Sequence, residues 1–175
     1  METAQLLGIE DDALLQPLET MTAVQPFSGT RANTVGTNIL KESFSAYRYE
    51  LPEMEVTLNG QRMDCYGTDF ANYASPDVYP GYTSYYGYDE GEVVFDTGME
   101  KENLLVLGNS YDNAIVQLLA SHFGRTHGVD LRYYETDMGT PFDFDSYIRE
   151  NEIQKVLLIG DNTYFSGDLF MIGGD

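Results

Sequence analysis

Leu104-Leu105-Val106-Leu107-Gly108-Asn109-Ser110-Tyr111 is the stretch whose reading decides the fold. Four consecutive aliphatic residues suit a strand buried on both faces, as in parallel sheets whose crossovers cover each side. From Asn113 to Phe123 the apolar positions Ile115, Leu118, Leu119 and Phe123 recur at helical spacing, and Gly124 stands where a helix C-cap is expected. Val129 to Tyr134 returns to strand composition. Phe142 to Asn151 reads as a short helix with Phe144, Tyr147 and Ile148 on one side, and Val156-Leu157-Leu158-Ile159 is another buried strand closed by Gly160. Strand, helix, strand, helix, strand over about 55 residues predicts a right-handed parallel βαβαβ unit and an α/β fold.

Upstream, the order is looser. Tyr47, Tyr49, Leu51 and then Met54, Val56, Leu58 alternate around Pro52, and Asn59-Gly60 follows. That dipeptide is the strongest short hairpin signal, and Arg62 to Tyr66 resumes the alternation, so a β-hairpin or edge ribbon is expected. Residues 66–91 are dense in Tyr, Gly, Pro, Asp and Ser, which is loop chemistry with many rings. Glu92 to Phe95 suits a brief strand that Gly98 ends. Residues 1–27 read as a lead-in with a short helical candidate between Glu10 and Glu19, broken by Pro17. A single domain over 1–175 is expected: lead-in 1–27, hairpin and Tyr-rich segment 28–100, βαβαβ unit 101–175. A chain of this length buries roughly 70% of its unfolded surface.

Nine basic against 29 acidic side chains give a formal net charge of −20. That field repels nucleic acid and anionic membrane surfaces, so both are set aside as partners. No run of apolar residues is long enough to insert in a membrane, and no basic-then-apolar leader stands at the start. An exported form would carry its signal or anchor outside these residues. Cys65 is the single cysteine, which excludes an internal disulfide and a thiolate metal cluster. Asp64, Asp69, Asp77, Asp89 and Glu90 form the one acidic group worth weighing as a cation site, but their spacing fits no EF-hand loop, and no metal or cofactor is expected.

Chemistry concentrates at the turn. In open α/β sheets ligands bind beyond the carboxyl ends of the strands, which is where Gly108, Asn109, Ser110 and Tyr111 fall. Gly108 allows the tight turn. Ser110 at the rim reads either as a nucleophile beside oxyanion donors or, with Asn109, as a helix cap. Asn162 follows the third strand at the same rim, where its amide is a candidate oxyanion donor, although Gly160-Asp161-Asn162 is also ordinary loop chemistry. A serine nucleophile needs a base within hydrogen-bond reach. His122 lies 12 residues beyond Ser110, about 18 Å along a helix. His127 precedes the next strand and is expected in a loop at the opposite edge of the sheet. Neither reaches Ser110.

Leu104 to Phe123, followed by Val129-Asp130-Leu131-Arg132-Tyr133-Tyr134, resembles the C-terminal half of the DHHW proteins, bacterial SGNH-like proteins related to alginate O-acetylation proteins. Phe27-Ser-Gly-Thr-Arg31, Phe44-Ser-Ala-Tyr47 and Leu51 to Gly60 resemble the segment between that family's two motifs, so the resemblance runs over roughly residues 4–170. It implies an SGNH, flavodoxin-like arrangement in the cell envelope. In that family an Asp-His-His-Trp motif comes first and supplies the base, and a Gly-Asp-Ser turn supplies the nucleophile. By position Ser110 matches the nucleophile and Asn109 replaces the Asp. No Asp-His-His-Trp occurs in the chain, which implies either a shortened chain or a divergent member.

Two functions follow. One is a serine esterase or O-acetyltransferase fragment acting on cell-envelope carbohydrate, inactive alone for want of its Asp-His pair, with Ser110 as nucleophile and Asn162 assisting. The other is a non-catalytic carbohydrate- or protein-binding module. Tyr66, Tyr73, Tyr79, Tyr82, Tyr85, Tyr86 and Tyr88 fall within 23 positions, and such rings either stack on sugars or pack their own loop onto the sheet.

Overall fold

The structure, a computed structural model, describes residues 2–10, 16–27, 42–63, 75–77, 89–160 and Tyr164. They fall into two compact units, one of Met1–Leu14, Leu51–Tyr66 and Tyr88–Asp175, the other of Leu15–Glu50 and Gly67–Gly87.

In the smaller unit, β1 (Glu19–Thr22) pairs antiparallel with β2 (Ser45–Arg48). Ala46 is buried, Phe27 and Glu42 make an isolated bridge, and the Phe27 and Phe44 rings lie 5.4 Å apart. The Arg48–Glu19 pair at 3.0 Å is exposed at both ends and adds little.

The larger unit opens with α1 (Glu2–Leu6). Its sheet contains β3 (Glu55–Leu58), β4 (Gln61–Met63), β5 (Glu92–Asp96), β6 (Asn103–Leu107), β7 (Arg125–Val129) and β8 (Ile153–Leu158) in the order β4-β3-β5-β7-β6-β8. Strands β3 and β4 are joined by Asn59 and Gly60, whose φ values of 48° and 74° make the two-residue turn that favours this dipeptide. The β3–β5 and β5–β7 pairs are antiparallel, whereas β6 runs parallel to both its neighbours, β7 and β8. Between the parallel strands lie α2 (Val116–Ala120), α3 (Tyr134–Met138) and α4 (Phe144–Glu150).

Strand β6 is the centre of the parallel part, and Leu104, Leu105, Val106 and Leu107 are all buried, as a strand covered on both faces requires. Leu105 and Leu107 pack with Val129, Tyr134 and Tyr147, so α3 and α4 cover one face. On the other, Gly128 lets the backbone of β7 approach Val93 and Val116, because a Cβ there would lie 2.9 Å from a Val93 methyl. Helix α2 covers that face. The expected βαβαβ unit is present, with β6 in the middle.

Several boundaries differ from the sequence reading. The second parallel strand spans Arg125–Val129, not Val129–Tyr134; residues 131–133 form a turn and Tyr134 opens α3. Its Arg-Thr-His-Gly-Val sequence looks unlike a buried strand, yet Thr126, His127 and Val129 are buried. Gly124 is no C-cap. It leads into β7 against the chain before β6, and a Cβ there would meet the Lys101 carbonyl at 2.7 Å. Helix α2 keeps only the middle of the predicted 113–123 span, since residues 113–115 and 121–122 are turns. Residues 11–15 of the Glu10–Glu19 helical candidate lie outside the described residues, and its last residue, Glu19, begins a strand instead. Tyr66, Tyr73, Tyr79, Tyr82, Tyr85, Tyr86 and Tyr88 also lie outside them.

Candidate functional site

The chain leaves β6 at Gly108, whose amide donates to the Val129 carbonyl at 3.0 Å and so ties the exit of β6 to the end of β7. The Asp112 amide then bonds the Asn109 carbonyl at 2.9 Å, which closes a four-residue turn with Ser110 and Tyr111 at its corners. Asn109 is buried, and its side-chain oxygen accepts from the Tyr111 amide at 3.2 Å, the local bond that suits Asn to turns. Neither candidate caps the helix, whose N-cap position is Ile115 with no side-chain bond; Asn109 braces the turn instead. Ser110 is half-buried, and among the described residues neither its amide nor its hydroxyl has a hydrogen-bond partner. Tyr111 is exposed.

Gly108 has a reason beyond the turn. A Cβ on it would lie 2.0 Å from the Asp112 Oδ2, so the buried Asp112 carboxylate sits directly on this backbone. Around that contact lies a polar cluster. Arg132, just beyond β7, forks onto Asp130 through Nε at 2.9 and 3.0 Å and through its Nη2, which also reaches Asp89 at 2.8 Å. Asn113, the residue after the turn, donates to the other oxygen of Asp89 at 3.3 Å. Asp89 thus bridges the exit of β7 to the turn that carries Ser110. Hydrogen bonding to Asp130 above all, with the charges of Asp130 and Asp89, holds the Arg132 guanidinium above its ordinary range. Tyr164 is buried beside Gly160 and accepts from the Leu131 amide at 3.4 Å, and burial, aided by Asp130 and Asp112, pushes its phenol up.

The histidines are placed differently from each other. His122 lines a cavity of about 690 Å³ with Glu102 and Gln154, which flank the starts of β6 and β8. That is the sheet edge opposite Ser110. His127 is not in a loop. It lies in mid-β7, paired with Leu105 and 4% exposed. Its Nδ1 lies 2.8 Å from the Tyr147 hydroxyl, which donates to the Glu92 Oε1 at 2.5 Å. Since Tyr147 gives its proton to Glu92, it accepts from His127, which places the imidazole proton on Nδ1. The Nε2 is buried and has no partner. Burial first, and the Arg125 charge second, lower the His127 pKa to about 4, against the pull of Asp96. Held neutral and bonded to Tyr147 on the α3–α4 face, His127 does not serve the serine turn.

Asn162, Cys65, Asp64 and Asp69 lie outside the described residues. Asp77, in the smaller unit, is exposed, while Asp89 pairs with Arg132 and Glu90 accepts from Asn59 at 2.9 Å. No group of three or more His, Cys, Asp and Glu among the described residues could hold a metal ion, and no described helix is long and apolar enough to cross a membrane. The sequence reading missed Asp112, Asn113, Asp130, Arg132 and Tyr164. The Asp130-x-Arg132 spacing after a strand was the visible signal, and the Asn113–Asp89 bond had none.

Fold and site define an α/β protein with a serine turn beyond the central strand of a parallel βαβαβ unit. Its likeness is to the DHHW proteins. The structure of a DHHW family protein from Eubacterium siraeum is 19% identical, with a TM-score of 0.63 over 95% of this chain and 55% of that one. Bacillus cereus PatB1 is 20% identical, with a TM-score of 0.64 over 97% and 58%. PatB1 with a sulfonyl adduct is 21% identical, with 0.63 over 94% and 52%. At these identities the likeness is one of fold. The chain spans little more than half the length of these structures. No protein-family model and no curated protein matches it.

Proposed function

We propose that the chain is part of an SGNH-like serine esterase or O-acetyltransferase of the cell envelope that acts on carbohydrate, with Ser110 as nucleophile. One observation carries this reading: Ser110 stands at the corner of a tight turn beyond the central parallel strand, with its amide and hydroxyl unengaged among the described residues. The fold likeness to PatB1, which has been seen with a sulfonyl adduct, supports it. Ser110 Oγ attacks the acyl carbonyl carbon, and its proton passes to a base that returns it to the departing alcohol. The acyl ester on Ser110 then passes to water or to a sugar hydroxyl. The Ser110 amide is assigned as one oxyanion donor and Asn162 as the second. The base comes from residues outside this chain, because neither His122 nor His127 is placed for it.

The test is chemical rescue. The chain is incubated with p-nitrophenyl acetate with and without added imidazole, and acetylation is located by peptide mass spectrometry against Ser110→Ala. Acetyl-Ser110 that depends on imidazole is expected. Adducts spread over other serines and tyrosines, with none enriched at Ser110, sink the nucleophile. Turnover that needs Ser110 but no added base sinks the claim that the base is absent.

A further inference from the structure

Helix α2 begins without a side-chain cap, and the polar residues ahead of it are used otherwise. Asn109, Asp112 and Asn113 are buried, as is Asp130 at the exit of β7. Buried polar groups are costly unless bonded, and a network of bonded ones rigidifies what it surrounds. Asn109 braces the serine turn from within, and Asp112 sits against Gly108. Asn113 ties the turn to Asp89. The far end of that tie is itself fixed. Asp130 accepts the Arg132 amide at 3.0 Å as well as Nε and Nη2, and its own amide donates to the Gly91 carbonyl at 3.1 Å. The guanidinium is thereby locked at the end of β7 with Nη2 on Asp89, 2.8 Å away. Asp89 gives one oxygen to Arg132 and the other to Asn113, so it passes the position of the guanidinium to the third residue after Ser110. A planar guanidinium can fork in this way, where a Lys ammonium would swivel.

We propose that Arg132 is a positioning residue for Ser110. Through Asp89 and Asn113 it fixes the serine turn, so the reactivity of the Ser110 hydroxyl depends on a guanidinium that does not touch the substrate. The inference rests on the reading of Ser110 as nucleophile. Misplacing a reacting atom by about 1 Å lowers a rate about a hundredfold, so a relay of three side chains is enough to set it.

The test uses the full chain with p-nitrophenyl acetate and imidazole, and times Ser110 acetylation by peptide mass spectrometry. Wild type, Arg132→Gln, Asn113→Ala and the double variant are compared at a temperature where melting curves show each to be folded. NMR order parameters of the Ser110 and Tyr111 amides are read alongside. Each single variant is expected to slow Ser110 acetylation about tenfold or more, to lower both order parameters, and to leave acetylation of the exposed Tyr47 unchanged. The double variant should lose no more than either single one, because both cut the same relay. Tyr147→Phe removes bonds to Glu92 and His127 but none to the relay, and it should keep the wild-type rate. Single variants within about twofold of wild type, losses that multiply in the double variant, or an equal loss in Tyr147→Phe would each overturn the proposal. A wild type with no enrichment at Ser110 sinks the nucleophile reading instead. The order parameters then decide the relay, which falls if Arg132→Gln leaves both unchanged.

Discussion

The Nδ1 of His127 and the hydroxyl of Tyr147 lie 2.8 Å apart across the sheet-to-helix layer, with their rings edge to face. This contact joins β7 to α4 and continues to Glu92 on β5, so three elements from distant parts of the sequence share one buried polar chain. It also takes the better buried histidine away from the serine turn.

Acid should loosen this arrangement in a defined window. His127 has a folded-state pKa of about 4, below the ordinary 6.5, so the unfolded chain takes up the proton first. Its contribution is full above about pH 6.5 and is lost as the pH falls toward 4, at most about 3 kcal/mol. Asp96 and Asp143 are held below their ordinary 3.8, so theirs is lost only below that value. Urea unfolding at pH 7 and 4.5 is expected to show the loss in the wild type and a smaller one in His127→Gln. Equal losses would falsify the buried neutral histidine.

Tyr147→Phe removes the hydroxyl that serves both neighbours. It leaves the Glu92 carboxylate and His127 Nδ1 buried and unpaired, which costs about 1–3 kcal/mol. Adding His127→Phe and Glu92→Gln should recover part of that, because fewer buried polar atoms then lack partners. A triple variant less stable than Tyr147→Phe alone would contradict the account.

Gly108→Ala places a methyl 2.0 Å from the Asp112 Oδ2. A loss of about 1–3 kcal/mol is expected, as for overpacking elsewhere. Asp112→Ala in the same chain should relieve it, giving a non-additive cycle. Additive losses would mean that the glycine is needed for another reason.

The turn residues should separate cleanly. Asn109→Ala loses the bond to the Tyr111 amide and is expected to cost about 1 kcal/mol. Ser110→Ala, whose hydroxyl bonds nothing among the described residues, should stay within about 0.5 kcal/mol of wild type. Thermal unfolding of the two variants decides which side chain braces the turn, and the reverse order would assign that role to Ser110.

Arg132→Lys keeps the charge and loses the fork onto Asp130 and Asp89. About 1–2 kcal/mol should be lost, with the partial exposure of Arg132 limiting the effect. Faster amide exchange is expected at Arg132, whose amide bonds the Asp130 carboxylate. Unchanged exchange there would show that the fork does not hold the exit of β7.

By itself the sequence determined the central strand, the hairpin at Asn59-Gly60, the last parallel strand and the tight turn with Ser110 at its corner. Each of these is encoded in neighbouring residues: an unbroken aliphatic run, a dipeptide that tolerates positive φ, a glycine after a strand. Tertiary structure alone decided the course of β7 and the role of its histidine. Arg125-Thr-His-Gly-Val129 has poor strand composition, and it becomes a buried strand because Gly128 admits Val93 and Val116 on one face and Tyr147 satisfies His127 on the other. It likewise decided that Asp112 and Asp89 belong to the serine turn, through Gly108 and through Asn113 and Arg132. Those partners lie up to 43 residues apart, and no local pattern carries a hydrogen bond or a close packing contact over that separation.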